Sequence, residues 1–195
     1  MRAVSPRRAI VSVAASEEDV HGRLAYPLDT FYDRTGRALP RMERVAEEEV
    51  PQPYRALLCG DHDMTPTLEA YHGERLHLRV YEYRRQGSEY SRLVGLTTDR
   101  TGRVVEFGAI VIHLQRFPPD AAARVLEGRT PLGTILAEHA IPHTSHPSAF
   151  LRIAPDAVIE EALQIAHDGP LYGRRNVLAT PAGEALAEIL EILPP

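Results

Sequence analysis

The chain has 195 residues, of which 44% are hydrophobic and 25% are charged, and its formal net charge at pH 7 is -5. This size and composition predict a single globular domain, residues 1–195, with a sizeable hydrophobic core. All 22 basic side chains are arginine, since the sequence contains no lysine. That composition excludes a lysine Schiff base, a pyridoxal phosphate linkage and a phosphate-loop lysine.

The net charge and the cysteine content limit the kinds of partner and the cellular compartment that we expect. The negative net charge without a basic tail argues against nucleic acid as a partner, because phosphate neutralisation needs clustered positive charge. No stretch reaches the ~20 apolar residues of a membrane helix, so no membrane partner is expected. The single cysteine, Cys59, cannot form an internal disulfide, which favours a cytoplasmic protein. The sequence does not indicate an oligomeric state.

The first half of the sequence predicts a loosely organised N-terminal extension, followed by a short helix and strands. Residues 1–50 are expected to be a loosely organised N-terminal extension, because prolines interrupt them and only 42–50 could form a short acidic helix. A second short helix is predicted to end at Gly73. Strands are then predicted over 76–81, 90–98 and 104–114, with tight turns between them. These spacings predict an antiparallel meander.

The second half predicts helices that alternate with strands. Helices are predicted over 119–126, over 133–139 and after an Asp156 cap, with a strand over 150–153. The C-terminal segment 185–193 is ambiguous. Its stripe of leucine and isoleucine fits a helix, whereas the preceding Pro181-Ala182-Gly183-Glu184 fits the turn of a hairpin. Periodicity alone leaves both interpretations open.

Arginines on predicted strands are candidates for binding a carboxylate. Arg92 shares a strand face with Val94 and Leu96, so a buried face would carry its guanidinium into the core, where it needs an anionic partner. The alternative places Arg92 on the solvent face, since arginine is seldom buried. Arg174 and Arg175 fall on opposite faces by alternation, so at least one of them is structural or solvated.

Acidic and imidazole side chains supply the other candidates. Glu191 lies in an apolar segment, where lost hydration would raise the pKa of its carboxyl. The alternative is a solvated Glu191, and Glu188 competes if the segment is helical. His139, His143 and His146 lie in an irregular loop and lack the one-face helical spacing of H-E-x-x-H, so no metal site is predicted.

Four short segments occur in an order that is typical of one family. The first is Asp63-Met64-Thr65-Pro66-Thr67-Leu68-Glu69. The second is Tyr90-Ser91-Arg92-Leu93-Val94-Gly95-Leu96, followed by a turn and Val105-Glu106-Phe107-Gly108. The third is Pro131-Leu132-Gly133-Thr134-Ile135-Leu136, and the fourth is Tyr172-Gly173-Arg174-Arg175-Asn176 with Gly183 and Glu191-Ile192-Leu193-Pro194. Together they resemble the chorismate pyruvate-lyase family, which shares a fold superfamily with the UTRA-like effector-binding domains of certain transcription regulators. The resemblance covers residues 54–195. Two departures are Asn176, where the family usually has serine, and a slightly longer interval from Gly183 to Glu191.

The resemblance implies an α+β fold, in which a single curved antiparallel β-sheet and helical flaps enclose a small-ligand pocket. It favours a strand over a helix for 185–193. By position, it implies Arg92 and Glu191 as catalytic residues. It also implies substrate binding by Met64, Thr65, Leu132, Gly133 and Arg174, with the backbone amides of Met64 and Leu132 in the ligand cradle.

The activity that the resemblance implies is that of a chorismate pyruvate-lyase. This carbon–oxygen lyase eliminates pyruvate from chorismate to give 4-hydroxybenzoate and needs neither a metal nor an organic cofactor. Arg92 would stabilise the departing enolpyruvyl oxygen or hold a carboxylate, and Glu191 would handle the ring hydroxyl or a transferred proton. The alternatives are a non-catalytic module that binds a small aromatic acid and a variant lyase that gives 3-hydroxybenzoate. Both key residues are retained and no helix-turn-helix is predicted, which favours the enzyme.

Overall fold

The computed structural model of the protein describes residues 24–195. The helices are α1 (Asp29–Thr35), α2 (Tyr54–Leu58), α3 (Met64–His72), α4 (Pro119–Glu127), α5 (Leu132–Glu138) and α6 (Ala157–Leu163). The strands are β1 (Met42–Val45), β2 (Leu76–Gln86), β3 (Glu89–Thr98), β4 (Val104–His113), β5 (Thr144–Ile153), β6 (Leu171–Ala179) and β7 (Ala185–Leu193). Across these described residues, none of the helices is long and apolar enough to span a membrane.

The strands form one antiparallel sheet in the order β1-β5-β6-β7-β4-β3-β2. Strands β2, β3 and β4 form the predicted meander, and β7 lies between β4 and β6 with hydrogen bonds to both. The register places Arg92 opposite Ile110, while Glu191 lies opposite both Gly108 and Arg174. The predicted fold class, an α+β fold with a single curved antiparallel sheet, is confirmed.

Helices cover both faces of this sheet. On the first face, α1 and α6 pack Phe31 and Ile159 against Phe107, Ala109 and Leu190. On the second face, one apolar cluster forms under α4 and α5 and another under α2 and α3. Because both of its faces are covered, β4 is buried along almost its whole length, as its run of β-branched residues indicates. The candidate site lies on the second face, between the two clusters.

The segment 42–50 differs from its prediction. In place of a helix it forms β1 and a 3-10 helix at Glu47–Glu49. Met42 pairs with Ile153 on β5 and is buried, so ladder hydrogen bonds and core packing outweigh the local helical propensity. Within the predicted loose extension, the described part thus contributes α1 and an edge strand, and residues 1–23 lie outside the described residues.

The ambiguous C-terminal segment is a strand, as the resemblance implied. A tight turn precedes it, in which the Gly183 amide donates to the Thr180 carbonyl at 2.8 Å. Gly183 has a φ of 82°, a conformation that glycine adopts without a steric penalty. The helical propensity of the segment is outweighed because β7 lies between β4 and β6 and forms hydrogen bonds with both strands.

Candidate functional site

A cavity opens on the second face of the sheet, beneath the first turns of α3 and α5, and the empty space in it and at its open mouth, solvent included, is about 540 Å³. Its ionisable and amide side chains are Asp63, Arg92, Glu106, Asn176 and Glu191. Its apolar walls include Leu78, Val94, Leu96, Ile110, Leu132 and Ile189. A largely apolar cavity with a few convergent polar groups is typical of a small-molecule site.

Arg92 carries the free positive charge of the cavity. Its strand face is the buried one, so the interpretation that placed it in solvent is wrong, and the residue is only 1% exposed. The Nε and Nη1 atoms are buried and have no hydrogen-bond partner among the described residues. Burial lowers the pKa of Arg92 to about 10, so the guanidinium stays charged at neutral pH. A buried cation without a partner is unfavourable unless an anion is supplied from outside.

Glu191 also faces the cavity, but its charge is already paired. Arg174 donates from Nε to Glu191 Oε2 at 2.5 Å, and the two side chains are 0% and 5% exposed. The remaining Arg174 donors point away from any ligand. Nη1 binds the carbonyls of Leu58 and Gly60, both at 3.2 Å, and Nη2 binds the carbonyl of His62 at 2.9 Å. Arg174 therefore fastens the chain segment before α3 to the sheet.

The adjacent arginines of β6, Arg174 and Arg175, lie on opposite faces of the sheet, as the alternation predicted. Arg175 lies on the other side of the strand, where its Nη2 donates to Glu188 Oε2 at 3.1 Å. Next along β6, the Asn176 amide faces the cavity and donates from Nδ2 to Ser145 Oγ at 2.9 Å. Its Oδ1 is buried and has no partner within the described part of the chain.

Sequence reasoning missed Glu106, which also faces the cavity. It lies on β4 opposite Leu96 and is 5% exposed, and Oε2 has no hydrogen-bond partner among residues 24–195. Burial raises the pKa of its carboxyl well above the usual range, the Glu191 charge raises it further, and Arg174 opposes this. The available signal was a single acidic residue inside an otherwise apolar, β-branched strand, which is an uncommon place for glutamate.

The four other predicted binding residues line the cavity. Met64 and Thr65 belong to the first turn of α3, and Leu132 and Gly133 to the first turn of α5. Neither helix start has a side-chain cap, so the first-turn amides lack intrahelical acceptors. A Cβ at Gly133 would lie 2.9 Å from Thr65 Oγ1. Glycine at this position therefore allows the two helix starts to approach closely above the sheet.

An ion pair closes one side of the cavity mouth. His143 Nε2 lies 2.8 Å from Asp63 Oδ2, and His143 Nδ1 lies 2.8 Å from the Ile141 carbonyl. Burial lowers the pKa of His143, but the Ile141 contact and the Asp63 carboxylate outweigh it, so the net shift is upward. Of the loop histidines, His143 thus pairs with Asp63, which lines the cavity, and no group of metal-ligating side chains occurs in the part of the chain that the structure describes.

We expect the Asp63–His143 pair to stabilise the protein most at mildly acidic pH. Because the pKa of His143 is raised by folding, its contribution is complete below the unfolded value of about 6.5 and is lost as the pH rises through the folded value. His143→Gln should therefore lower the free energy of unfolding by up to about 1 kcal/mol at pH 5.5 and by less at pH 9. Urea denaturation at both pH values, with the exposed His146→Gln as control, measures the difference; a loss that grows with pH would contradict it.

Comparison with known sequences finds no match, whereas comparison with solved structures finds proteins of similar fold. No family profile and no curated protein sequence match the chain. Among solved structures, it is similar to the effector domain of PhnF from Mycobacterium smegmatis, with a TM-score of 0.51 and 15% identity over 67% of this chain and 87% of that one. A structure of PhnF from the same organism gives a TM-score of 0.52 and 14% identity over 87% of this chain and 93% of that one.

A weaker similarity is to the C-terminal domain of the histidine utilization repressor from Pseudomonas syringae. The TM-score is 0.41 and the identity 15%, over 62% of this chain and 92% of that one. The prediction of a carbon–oxygen lyase is wrong, because the structures of similar fold are those of PhnF and its effector domain. The comparisons do not support the specific resemblance to chorismate pyruvate-lyases, and they show only that the chain shares the fold of the PhnF effector domain.

Proposed function

We propose that the protein is a non-catalytic binding module for a small aromatic acid, with Arg92 as the anchor for the acid group. The observation that carries this proposal is the buried guanidinium of Arg92, which has two nitrogen atoms without a partner among the described residues and faces the cavity. A planar guanidinium matches a carboxylate with two parallel hydrogen bonds. An anionic ligand would therefore supply the missing partner.

The remaining cavity suits the rest of such a ligand. The walls are leucine, valine and isoleucine side chains, which favour an apolar ring over a sugar or a peptide backbone. Met64 and Thr65 place the uncapped first turn of α3 against the cavity, and amides there favour negative charge. The shared fold with a domain described as an effector domain supports a binding role.

The pairing of Glu191 also favours binding over chemistry. A general acid or base must be free to exchange a proton with the substrate, but the Glu191 carboxylate is held by Arg174 at 2.5 Å. In the proposed role, this pair is a structural support. Arg174 holds the segment that leads into α3, and Glu191 neutralises the arginine charge beneath the ligand.

Isothermal titration calorimetry with benzoate as the probe tests the proposal. We expect saturable binding of one molecule per chain by the wild type. Arg92→Ala should weaken benzoate binding roughly 10- to 100-fold, which corresponds to the loss of a charge-assisted hydrogen-bond pair. Arg92→Lys should lie between the two, because an ammonium keeps the charge but not the fork of donors.

The exposed strand arginine Arg84 provides a matched control. Arg84→Ala removes the same charge from the neighbouring strand β2 and should leave the affinity for benzoate unchanged. Equal affinities of wild type and Arg92→Ala, or no binding of benzoate at all by the wild type, would overturn the proposal.

A further inference from the structure

The cavity contains a second polar group that the anchoring of an acid leaves unexplained. Glu106 is 5% exposed, and its Oε2 has no partner among the described residues. A buried carboxyl that lacks a partner loses its hydration without a compensating hydrogen bond, which is unfavourable. Such a group in a native structure calls for a functional or structural reason, and no hydrogen bond within the described chain supplies a structural one.

The sheet register fixes the position of Glu106 relative to Arg92. Arg92 lies opposite Ile110 on β4 and Leu96 lies opposite Glu106, so the two polar side chains occupy the same face, four residues apart along the strands. At the rise of an extended chain, this separation is about 13 Å between backbone positions. Both side chains line the same cavity, so the space between them is the part of the cavity that a ligand touching both would occupy.

Between Arg92 and Glu106, the sheet surface that forms the bottom of the cavity includes Gly108, which has no side chain. Gly108 lies midway between Glu106 and Ile110 on this face, opposite Val94. A Cβ at Gly108 would lie 2.7 Å from the Leu190 carbonyl and 3.3 Å from Glu106 Oε1. A side chain there would displace the Glu106 carboxyl and fill the space in which a ring would lie.

No cation within the described structure compensates Glu106. The charge of Arg174 acts on it, but that guanidinium is bonded to Glu191 and to three backbone carbonyls. The charge of Asp63 is likewise paired, with His143. After these pairs are set aside, the described residues that line the cavity include one unpaired cation, Arg92, and one unpaired carboxyl, Glu106, on either side of Gly108.

Resting on the proposed function, we propose that the ligand is bipolar and carries, one ring away from the acid group on Arg92, an ammonium group that binds Glu106. An ammonium supplies both the hydrogen-bond donor and the positive charge that the Glu106 carboxyl lacks. Its charge also favours ionisation of that carboxyl, whose pKa is raised by burial in the empty cavity. A neutral hydroxyl would satisfy the hydrogen bond alone and would not favour ionisation of the carboxyl.

Two probes of the same shape separate this inference from the proposed function. 4-(Aminomethyl)benzoate and 4-ethylbenzoate differ only in whether the end of the substituent is an ammonium or a methyl group. Calorimetry should show that the wild type binds 4-(aminomethyl)benzoate at least about tenfold more tightly, the gain expected for a charge-assisted hydrogen bond in a buried site. 4-Hydroxybenzoate should fall between the two probes.

The matched variant is Glu106→Gln, which keeps the size of the side chain and removes its charge. We expect it to bind both probes with similar affinity, because the charge that distinguishes the two probes at this position is removed. Arg92→Ala should lose affinity for both probes. The ratio of the two affinities in the wild type is decisive even without the variant, so the test does not depend on how well Glu106→Gln folds.

The failures of the two proposals are distinguishable. If the wild type binds both probes equally, prefers 4-ethylbenzoate or 4-hydroxybenzoate, or if Glu106→Gln keeps the preference for the amine, the bipolar ligand is overturned while the Arg92 anchor stands. If the wild type binds neither probe nor benzoate, the proposed function is overturned and the bipolar ligand with it.

Discussion

Replacing Arg174 with methionine should lower the free energy of unfolding by about 3–5 kcal/mol, the cost of leaving one partner of a buried ion pair unpaired. The guanidinium is 0% exposed and binds Glu191 at 2.5 Å. It also satisfies the carbonyls of Leu58, Gly60 and His62. Methionine fills a similar volume, so the loss reports the broken pair and the unsatisfied carbonyls and not a large cavity.

Urea denaturation followed by circular dichroism measures this effect. The control is Arg175→Met, one position along β6, which removes a partly exposed pair with Glu188 at 3.1 Å and should cost about 1 kcal/mol or less. The double variant Arg174→Met with Glu191→Leu should recover part of the loss, because it removes both buried charges together. If Arg174→Met is no more destabilising than Arg175→Met, Arg174 does not fasten the segment before α3.

Local sequence patterns predict much of the sheet because the strand faces alternate clearly. The alternation around Leu76 and the β-branched run that begins at Val104 predict β2 and β4, and glycines mark the turns. The C-terminal strand required more than periodicity, because its leucine stripe fits a helix equally well. Its conformation depends on the two strands that flank it, which is long-range information. The same reason explains β1, whose partner Ile153 lies far along the chain.

The sequence indicated several residues that line the cavity but not how their charges are paired, and their roles in binding stay predictions. Arg92, Met64, Thr65, Leu132 and Gly133 all line one cavity, as the resemblance implied. Residue identity does not indicate which charges are free. That property depends on strand register, which sets Arg174 opposite the predicted catalytic carboxylate.

Glu106 was missed because its burial and its lack of a partner also depend on contacts between distant parts of the chain. A single glutamate in a strand is read locally as a solvent-facing residue. Glu106 is buried because helices pack over this face of the sheet. It lacks a cationic partner because Arg174 is already paired with Glu191. The error in predicting a lyase has the same source, because an arginine and a glutamate at the expected positions do not by themselves make a reactive pair.

Replacing Arg92 with methionine should have the opposite sign to the Arg174 variant and raise the free energy of unfolding by about 1–3 kcal/mol. Arg92 is as deeply buried as Arg174, at 1% exposure, but its Nε and Nη1 have no partner within the described residues. Removing it eliminates a desolvated charge and breaks no ion pair. Methionine follows the course of the arginine stem and keeps the contacts of the strand face with the apolar walls.

The same substitution should abolish stabilisation by a ligand, and this combination distinguishes a binding site from a packing defect. Saturating benzoate should raise the unfolding free energy of the wild type by RT ln(1 + [L]/Kd) and leave that of Arg92→Met unchanged. Parallel urea titrations with and without benzoate measure both effects. If Arg92→Met is destabilised in the absence of ligand, the guanidinium already has a partner in the free protein and the anchor role is excluded. A gain in stability with loss of the benzoate response means that the fold retains an unfavourable buried charge because the ligand requires it.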